Sequence, residues 1–449
     1  MRNNDRVNSI DIMRGSAIVT LMLCHCVIFL SALDGQHPWV FFFSNHIIGD
    51  FGAPVYYFLA GMSQALVYER RKSSGYSKGL LTRGIVERGI VLILLGVLLS
   101  ILSKGPSSVP RWDTLHFIGI SFLILSLLKD LPSWFILSVA GAAVVSAPFL
   151  RGLSSYSEMW VGGFSPTMPL NTVLPGCLYD PVGEYSAVFS LKAMALGVLS
   201  NAYFPLCPWL AFPLLGFVEG RRLSHRKAGS DEELPSWRWL GGAMACWAIG
   251  WILVLVGRTS TSTNLVTSFL APFSFYPPTP AMFLMQCGVL ITSYVLSCNL
   301  FDRAVVPGWR AWYLAYCRRS SRYSLSIYFL QILILGWVGM AAQTFLRSKT
   351  VGESTAVLSE PVALAFAVVF SVLLYPLLGL WDRVQSRYSF EWILERVIPS
   401  RRALAEAKRR LAEAQPSVRC GVAGSEAQAT DRSSVLVVTS LSTPETLPV

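Results

Sequence analysis

The stretch Ser9-Ile10-Asp11-Ile12-Met13-Arg14-Gly15, running on through Leu21-Met22-Leu23-Cys24-His25-Cys26 to Leu33, reads as one membrane-crossing helix. It carries an arginine near one end and a histidine deep inside. Ionisable groups within a bilayer are costly and mark functional positions. Arg14 and His25 are eleven residues apart, which at ~100° and ~1.5 Å per residue puts them on nearly one face, roughly 16 Å apart along the axis. Asp11 lies one turn before Arg14 on the same stripe. The apolar run is longer than the core of a secretory signal, and its small-residue cleavage pattern is weak, so it reads as a retained span.

The same apolar signature recurs along the chain. Hydrophobic residues make up 53% of the 449 and charged residues only 14%, where ordinary soluble domains carry about 25% charged. Apolar runs fall at 10–33, 49–68, 85–103, 115–128, 133–150, 204–219, 239–257, 280–298, 322–346 and 361–381. They are continuous rather than alternating or confined to a 3.6-residue stripe. The expected fold is therefore all-α, a polytopic transmembrane helix bundle of about ten spans. A soluble domain is excluded. The sixth run holds Pro205, Pro208 and Pro213 and predicts a bent or broken helix.

Charge placement orients the bundle. With ten spans and the N-terminus inside, 30 of the 37 Lys and Arg fall on the cytoplasmic side and 7 on the other. Both termini are thus expected in the cytoplasm. An eleventh span at 187–199 would move Arg221, Arg222, Arg226 and Lys227 outside, so that segment reads as interfacial or re-entrant. The net charge of +11 follows from this positive-inside bias and calls for no nucleic acid. The nine cysteines are mostly within apolar runs and show no CxxC spacing.

Three regions follow. Residues 1–381 form the membrane domain, with a long outer loop at 151–203. That loop holds Trp160, Phe164, Tyr179 and Tyr185 beside Glu158, Asp180 and Glu184, a composition suited to a sugar-like acceptor or to a lid. Residues 382–415 read as a basic amphipathic helix on the cytoplasmic membrane face. Residues 416–449 are rich in Ser, Thr and Pro and read as a disordered tail.

Histidines are few and unevenly placed. His25 lies in mid-membrane, and His37, His46 and His116 fall in or beside outer loops. His25, His37 and His46 cluster with Asp34 and Asp50 around the first outer loop. Neutral imidazole is a general base near pH 7, and a neighbouring carboxylate fixes its tautomer. His25 and His37 are the candidate catalytic residues, with Asp50 as orienting carboxylate or as helix cap. His46 and His116 read as structural. No HxxxH or HxxEH spacing is present, so no metal site is expected. Arg14, Arg88 and Arg221 gather toward the cytoplasmic end, and arginine suits bidentate phosphate contacts. A donor with a phosphorylated head and a distant reactive end, such as acyl-CoA, fits this span.

Several motifs resemble one family. Ser9 to Gly15 with Leu21-Met22-Leu23-Cys24-His25, Ala53-Pro54-Val55-Tyr56-Tyr57-Phe58-Leu59-Ala60-Gly61, and Leu115-His116-Phe117-Ile118-Gly119-Ile120-Ser121 are similar to the heparan-alpha-glucosaminide N-acetyltransferase catalytic domain of bacterial membrane acyltransferases. So are Phe204-Pro205-Leu206-Cys207-Pro208-Trp209 with Gly216 and Gly220-Arg221, and Ser324-Leu325-Ser326-Ile327-Tyr328. The likeness covers roughly residues 5–381 and extends to the wider acyltransferase-3 group. It implies a helix bundle in a bacterial inner membrane. That bundle would move an acetyl group from acetyl-CoA, or another acyl-CoA, to a glycan or lipid-linked sugar across the membrane. Arg14 matches the motif arginine and His25 the polar position eleven residues on. In the animal branch that position looks like asparagine and the catalytic histidine follows in the next loop, near His37. The bacterial branch often has Asp-His where this chain has Cys24-His25, and histidines where it has Asp50 and Gln331. A transporter or lipid translocator, or an inactive membrane scaffold, is the competing expectation, since broken helices and midplane ionisable groups suit transporters too.

Overall fold

The computed structural model describes residues 7–31, 37, 39–40, 43–109, 112–153, 160–161, 164–166, 178–181, 184–185, 191–225, 235–259, 273–274, 278–303, 308–345, 350–351, 354–355, 358–398, 403 and 406. All of them belong to the unit Met1–Ala407. The proposed tail at 416–449, Glu158, Asp34 and the side chains of His46, Asp50, Trp160, Phe164, Tyr179, Asp180, Glu184 and Tyr185 lie outside the described residues.

Each of the ten apolar runs is largely helical over its described residues. In chain order the helices are α1 (Asn8–Leu30), α2 (Asp50–Ser73), α3 (Lys78–Lys104), α4 (Thr114–Leu128), α5 (Ser133–Leu153), α6 (Leu191–Leu196), α7 (Leu206–Trp209), α8 (Ala211–Ser224), α9 (Trp239–Thr259), α10 (Pro280–Ser297), α11 (Gly308–Arg322), α12 (Ser324–Phe345), α13 (Glu360–Arg383) and α14 (Phe390–Val397). Among the described residues seven helical segments are long and apolar enough to cross a membrane: α1, α3, α5, α9, α10, α12 and α13. The other three runs differ for identifiable reasons. Helix α2 is long, but Gly52, Pro54, Tyr56, Tyr57, Ser63 and Gln64 dilute its apolar stretch. Helix α4 has only 15 residues. The 204–219 run breaks into α7 and α8, as its prolines predict. Cys207, which precedes Pro208, is out of helical geometry at φ −102°, ψ 114°, the extended conformation favoured before a proline. Helix α11 was not expected, because its basic, mixed sequence lacks an apolar run. The 187–199 segment contains α6 and a π-helical turn, Gly197–Asn201. Strands are fragments of two to four residues, such as Trp160–Val161 paired with Glu184–Tyr185.

Helix α1 runs through the middle of the bundle, packed on α2, α10, α11, α12 and α13. Its first amides find no local cap at Val7. The carboxylate of Asp302, from a distant π-helical turn, accepts from Asn8 N at 2.7 Å and from Ser9 N at 3.3 Å. It serves donors that every helix start leaves open. Gly15 then lets α11 approach: a Cβ there would lie 2.5 Å from Cys317 Cα.

Helices α2 and α8 pack backbone to backbone. A Cβ on Gly61 would fall on the Pro213 carbonyl, and one on Gly216 on the Phe58 carbonyl. With lipid outside, close van der Waals contact between small residues takes the place of hydrophobic driving force. The outer faces of α3, α9 and α13 present Leu94, Ile252 and Val372 outward, the lipid-facing side of a membrane bundle. Only Phe390–Val397 of the expected 382–415 helix is described as a continuous helix. It docks on α12, with Glu391 accepting from Leu325 N at 2.8 Å and Ser326 N at 3.1 Å.

Candidate functional site

Arg14 and His25 share one face of α1, and that face lies between α2 and α12. Arg14 donates to Ser63 Oγ on α2. Arg88, from α3, reaches the adjacent Gln64 Oε1 at 3.4 Å. The two guanidinium groups thus reach consecutive residues of one helix. Asp11 leaves the stripe. It is buried and accepts from Ser321 on α11 at 2.9 Å. The three-residue step from Asp11 to Arg14 is about 60° short of a full turn, enough to aim the two side chains at different neighbours.

Arg221, grouped with Arg14 and Arg88 from the sequence, stands elsewhere. Its guanidinium pairs with Glu69 at 3.5 Å and donates to the Leu131 carbonyl at 2.6 Å and to the Lys129 carbonyl. It ties α8 to the end of α2 and to the α4–α5 turn. In the same turn the Tyr68 hydroxyl donates to Asp130 at 2.7 Å and Lys129 bridges Asp130 at 3.0 Å. Burial alone would raise the Asp130 carboxyl, but Tyr68, Lys129 and Lys78 favour the anion, and the net shift is downward.

Farther along α1, His25 is half-buried. Its Nδ1 lies 3.2 Å from Gln331 Nε2 on α12. Its ring meets Phe29 and Tyr328 edge-on, with centroids 6.0 Å and 6.5 Å away. The Tyr328 hydroxyl bonds to Thr114, at the start of α4. The Tyr57 hydroxyl donates to the same Thr114 Oγ1 at 3.3 Å. Asp113 caps α4, accepting from Thr114 N at 2.6 Å, and its own amide donates to His116 Nδ1 at 3.4 Å. A polar seam therefore runs from Gln331 and His25 through Tyr328 and Tyr57 to the head of α4.

His37 is exposed, and its carbonyl accepts from Val40 N at 3.0 Å. Asp50 opens α2, but the helix cap is Gly49, itself helical at φ −69°, ψ −45°. The π-helical turn Phe43–Gly49 runs straight into α2, so the capping role expected of Asp50 falls away. Among the described residues no three His, Cys, Asp or Glu gather as a metal site.

The sequence reading missed Tyr57, Thr114 and Tyr328 as seam members. Tyrosines in apolar runs give no signal of their own; only packing brings three helices to one threonine. It also missed Glu219, buried on α8, which accepts from Arg222 Nη2 and Nε at 2.6 and 2.7 Å and from the Tyr294 hydroxyl at 2.8 Å. A buried carboxylate is tolerable only when paired in this way.

A helix bundle with seven membrane-length helices, arginines at one level and a histidine–tyrosine seam at another defines an integral membrane protein with a built polar interior. The family model for heparan-alpha-glucosaminide N-acetyltransferase, catalytic, matches residues 6–239. The chain belongs to that family, whose activity is acetyl transfer. No curated protein matches the chain.

Proposed function

We propose that the protein transfers an acetyl group from acetyl-CoA, or another acyl-CoA, bound at the Arg14 end, to a carbohydrate or lipid-linked sugar at the His25 end. The observation that carries this reading is the shared face of α1: Arg14, joined by Arg88, and His25, held by Gln331, lie roughly 16 Å apart along one helix. Arginines suit the donor's phosphates, and its thioester lies far from them. Both termini are then cytoplasmic, and the positive-inside count favours that orientation. Residues 1–381 form the transferase domain, with 382–415 on the cytoplasmic membrane face. A bacterial inner membrane is the setting the family's bacterial branch favours. Arg221 is assigned to the structural clamp with Glu69 rather than to donor phosphates.

His25 is the proposed general base. With the Gln331 amide turned so that Oε1, which has no hydrogen-bond partner, accepts from Nδ1–H, the lone pair sits on Nε2. The acceptor's amine or hydroxyl attacks the thioester carbon, and His25 takes its proton. The carbon–sulfur bond breaks, and the imidazolium returns the proton to the departing thiolate. His37 is the second candidate base, with Asp50 as its carboxylate.

The test uses purified protein in lipid vesicles, with labelled acetyl-CoA on the face bearing the N-terminus and glucosamine on the other. Labelled N-acetylglucosamine on the far side is expected. Label that never reaches sugar or protein removes the reading, and unmodified substrate crossing the membrane replaces it with transport.

A further inference from the structure

We infer that the Nε2–H of His116 and the indole N–H of Trp112 form a donor pair that holds an oxygen of the carbohydrate acceptor; the inference rests on the transferase reading above. Both nitrogens are shut off from solvent and have no hydrogen-bond partner. The two rings lie against each other, with centroids 5.3 Å apart and planes at 33°. His116 is 3% exposed. Its Nδ1 accepts from the Asp113 amide, which leaves the ring proton of the neutral imidazole on Nε2.

Helix capping does not account for this arrangement. A capping box needs only an acceptor at the third helical position, which glutamate or glutamine supplies. The second imidazole nitrogen is surplus to that role, and an unpartnered buried donor is destabilising. The neighbouring helix nevertheless makes room for the ring: a Cβ on Gly96 would lie 2.8 Å from His116 Cε1 and Nδ1. Trp209 stands beside this group, its ring meeting edge-on at 5.7 Å that of Tyr57, the tyrosine that donates to Thr114. Thr114 joins this group to Tyr328 and so to His25. Aromatic rings in contact, each carrying an N–H donor, are the composition of a site for a polar ring ligand. Orphaned donors in a native interior call for an unseen partner.

Trp112→Phe tests the pair, because it removes one N–H and keeps the ring. In full-length protein in vesicles, KM for glucosamine is expected to rise about tenfold, the worth of one hydrogen bond. KM for acetyl-CoA stays unchanged, and thermal stability holds or increases. His116→Gln keeps both the capping acceptor and an N–H and retains acceptor KM within about threefold; His116→Met loses it. A purely structural pair predicts the reverse: unchanged acceptor KM in Trp112→Phe, and equal loss in both His116 variants. Glucosamine protection against thermal unfolding separates this inference from the transferase reading. Protection of wild type but not of Trp112→Phe supports the donor pair even where no acetyl is transferred. Equal protection of both, or of neither, overturns it.

Discussion

The contact between His25 and Gln331 supports a double-substitution cycle. His25→Ala removes the proposed base, and loss of a positioned general base lowers kcat by roughly 10²–10⁴, or about 2.7–5.5 kcal/mol of transition-state stabilisation. Gln331→Leu leaves the imidazole in place but deletes its partner at 3.2 Å. One neutral hydrogen bond is worth about 1 kcal/mol, so kcat should fall about fivefold to tenfold. Tyr328 and Phe29 still wall the ring at 6.5 and 6.0 Å, which keeps the loss from growing further. The two losses should not add. Once the ring is gone the amide has nothing to orient, and the double variant should match His25→Ala within about twofold. The assay is initial-rate acetyl transfer in vesicles at saturating donor. A His25→Ala enzyme within threefold of wild type would refute His25 as base and turn attention to His37. Additive losses would show that Gln331 acts independently of His25.

Other outcomes follow from the same geometry. Arg14→Gln and Arg88→Gln should each raise KM for acyl-CoA about tenfold or more with kcat nearly intact, since a charge-assisted contact is worth about 1.5–3 kcal/mol; unchanged donor KM in initial-rate assays would move the donor site elsewhere. Arg221→Ala should leave donor KM alone and lower the unfolding temperature, because it breaks the tie to Glu69 and to two carbonyls; a raised donor KM with unchanged melting would reverse that assignment. Asp130 contributes stability as an anion. Its folded value lies below the ordinary carboxylate value, so the contribution is present above about pH 4 and is lost as pH falls through the folded value. Its 41% exposure keeps the effect under about 1 kcal/mol. Acid titration of melting temperature, wild type against Asp130→Asn, should show the two curves converging below pH 4.

Much of this protein was set by sequence alone, because the bilayer punishes any unpaired backbone and so makes every long apolar run a helix. The ten runs, the break at Pro208 and the common face of Arg14 and His25 follow from composition, proline geometry and 3.6-residue periodicity. Periodicity is silent on which neighbour a side chain meets. It put Asp11 on the Arg14 stripe, but packing turned Asp11 to Ser321 on α11. Charge type grouped Arg221 with Arg14 and Arg88, but position committed it to Glu69. Helix α11 escaped notice because it has no apolar run; scattered residues such as Leu314, Tyr316 and Cys317 bury against its neighbours, and Arg319 and Arg322 reach Asp382 at 3.0 Å. The cap of α1 comes from Asp302, 294 residues from Asn8, and the seam at Thr114 joins side chains from three helices. Such long-range meetings are decided by how helices pack, since each helix is locally satisfied whichever partner it finds.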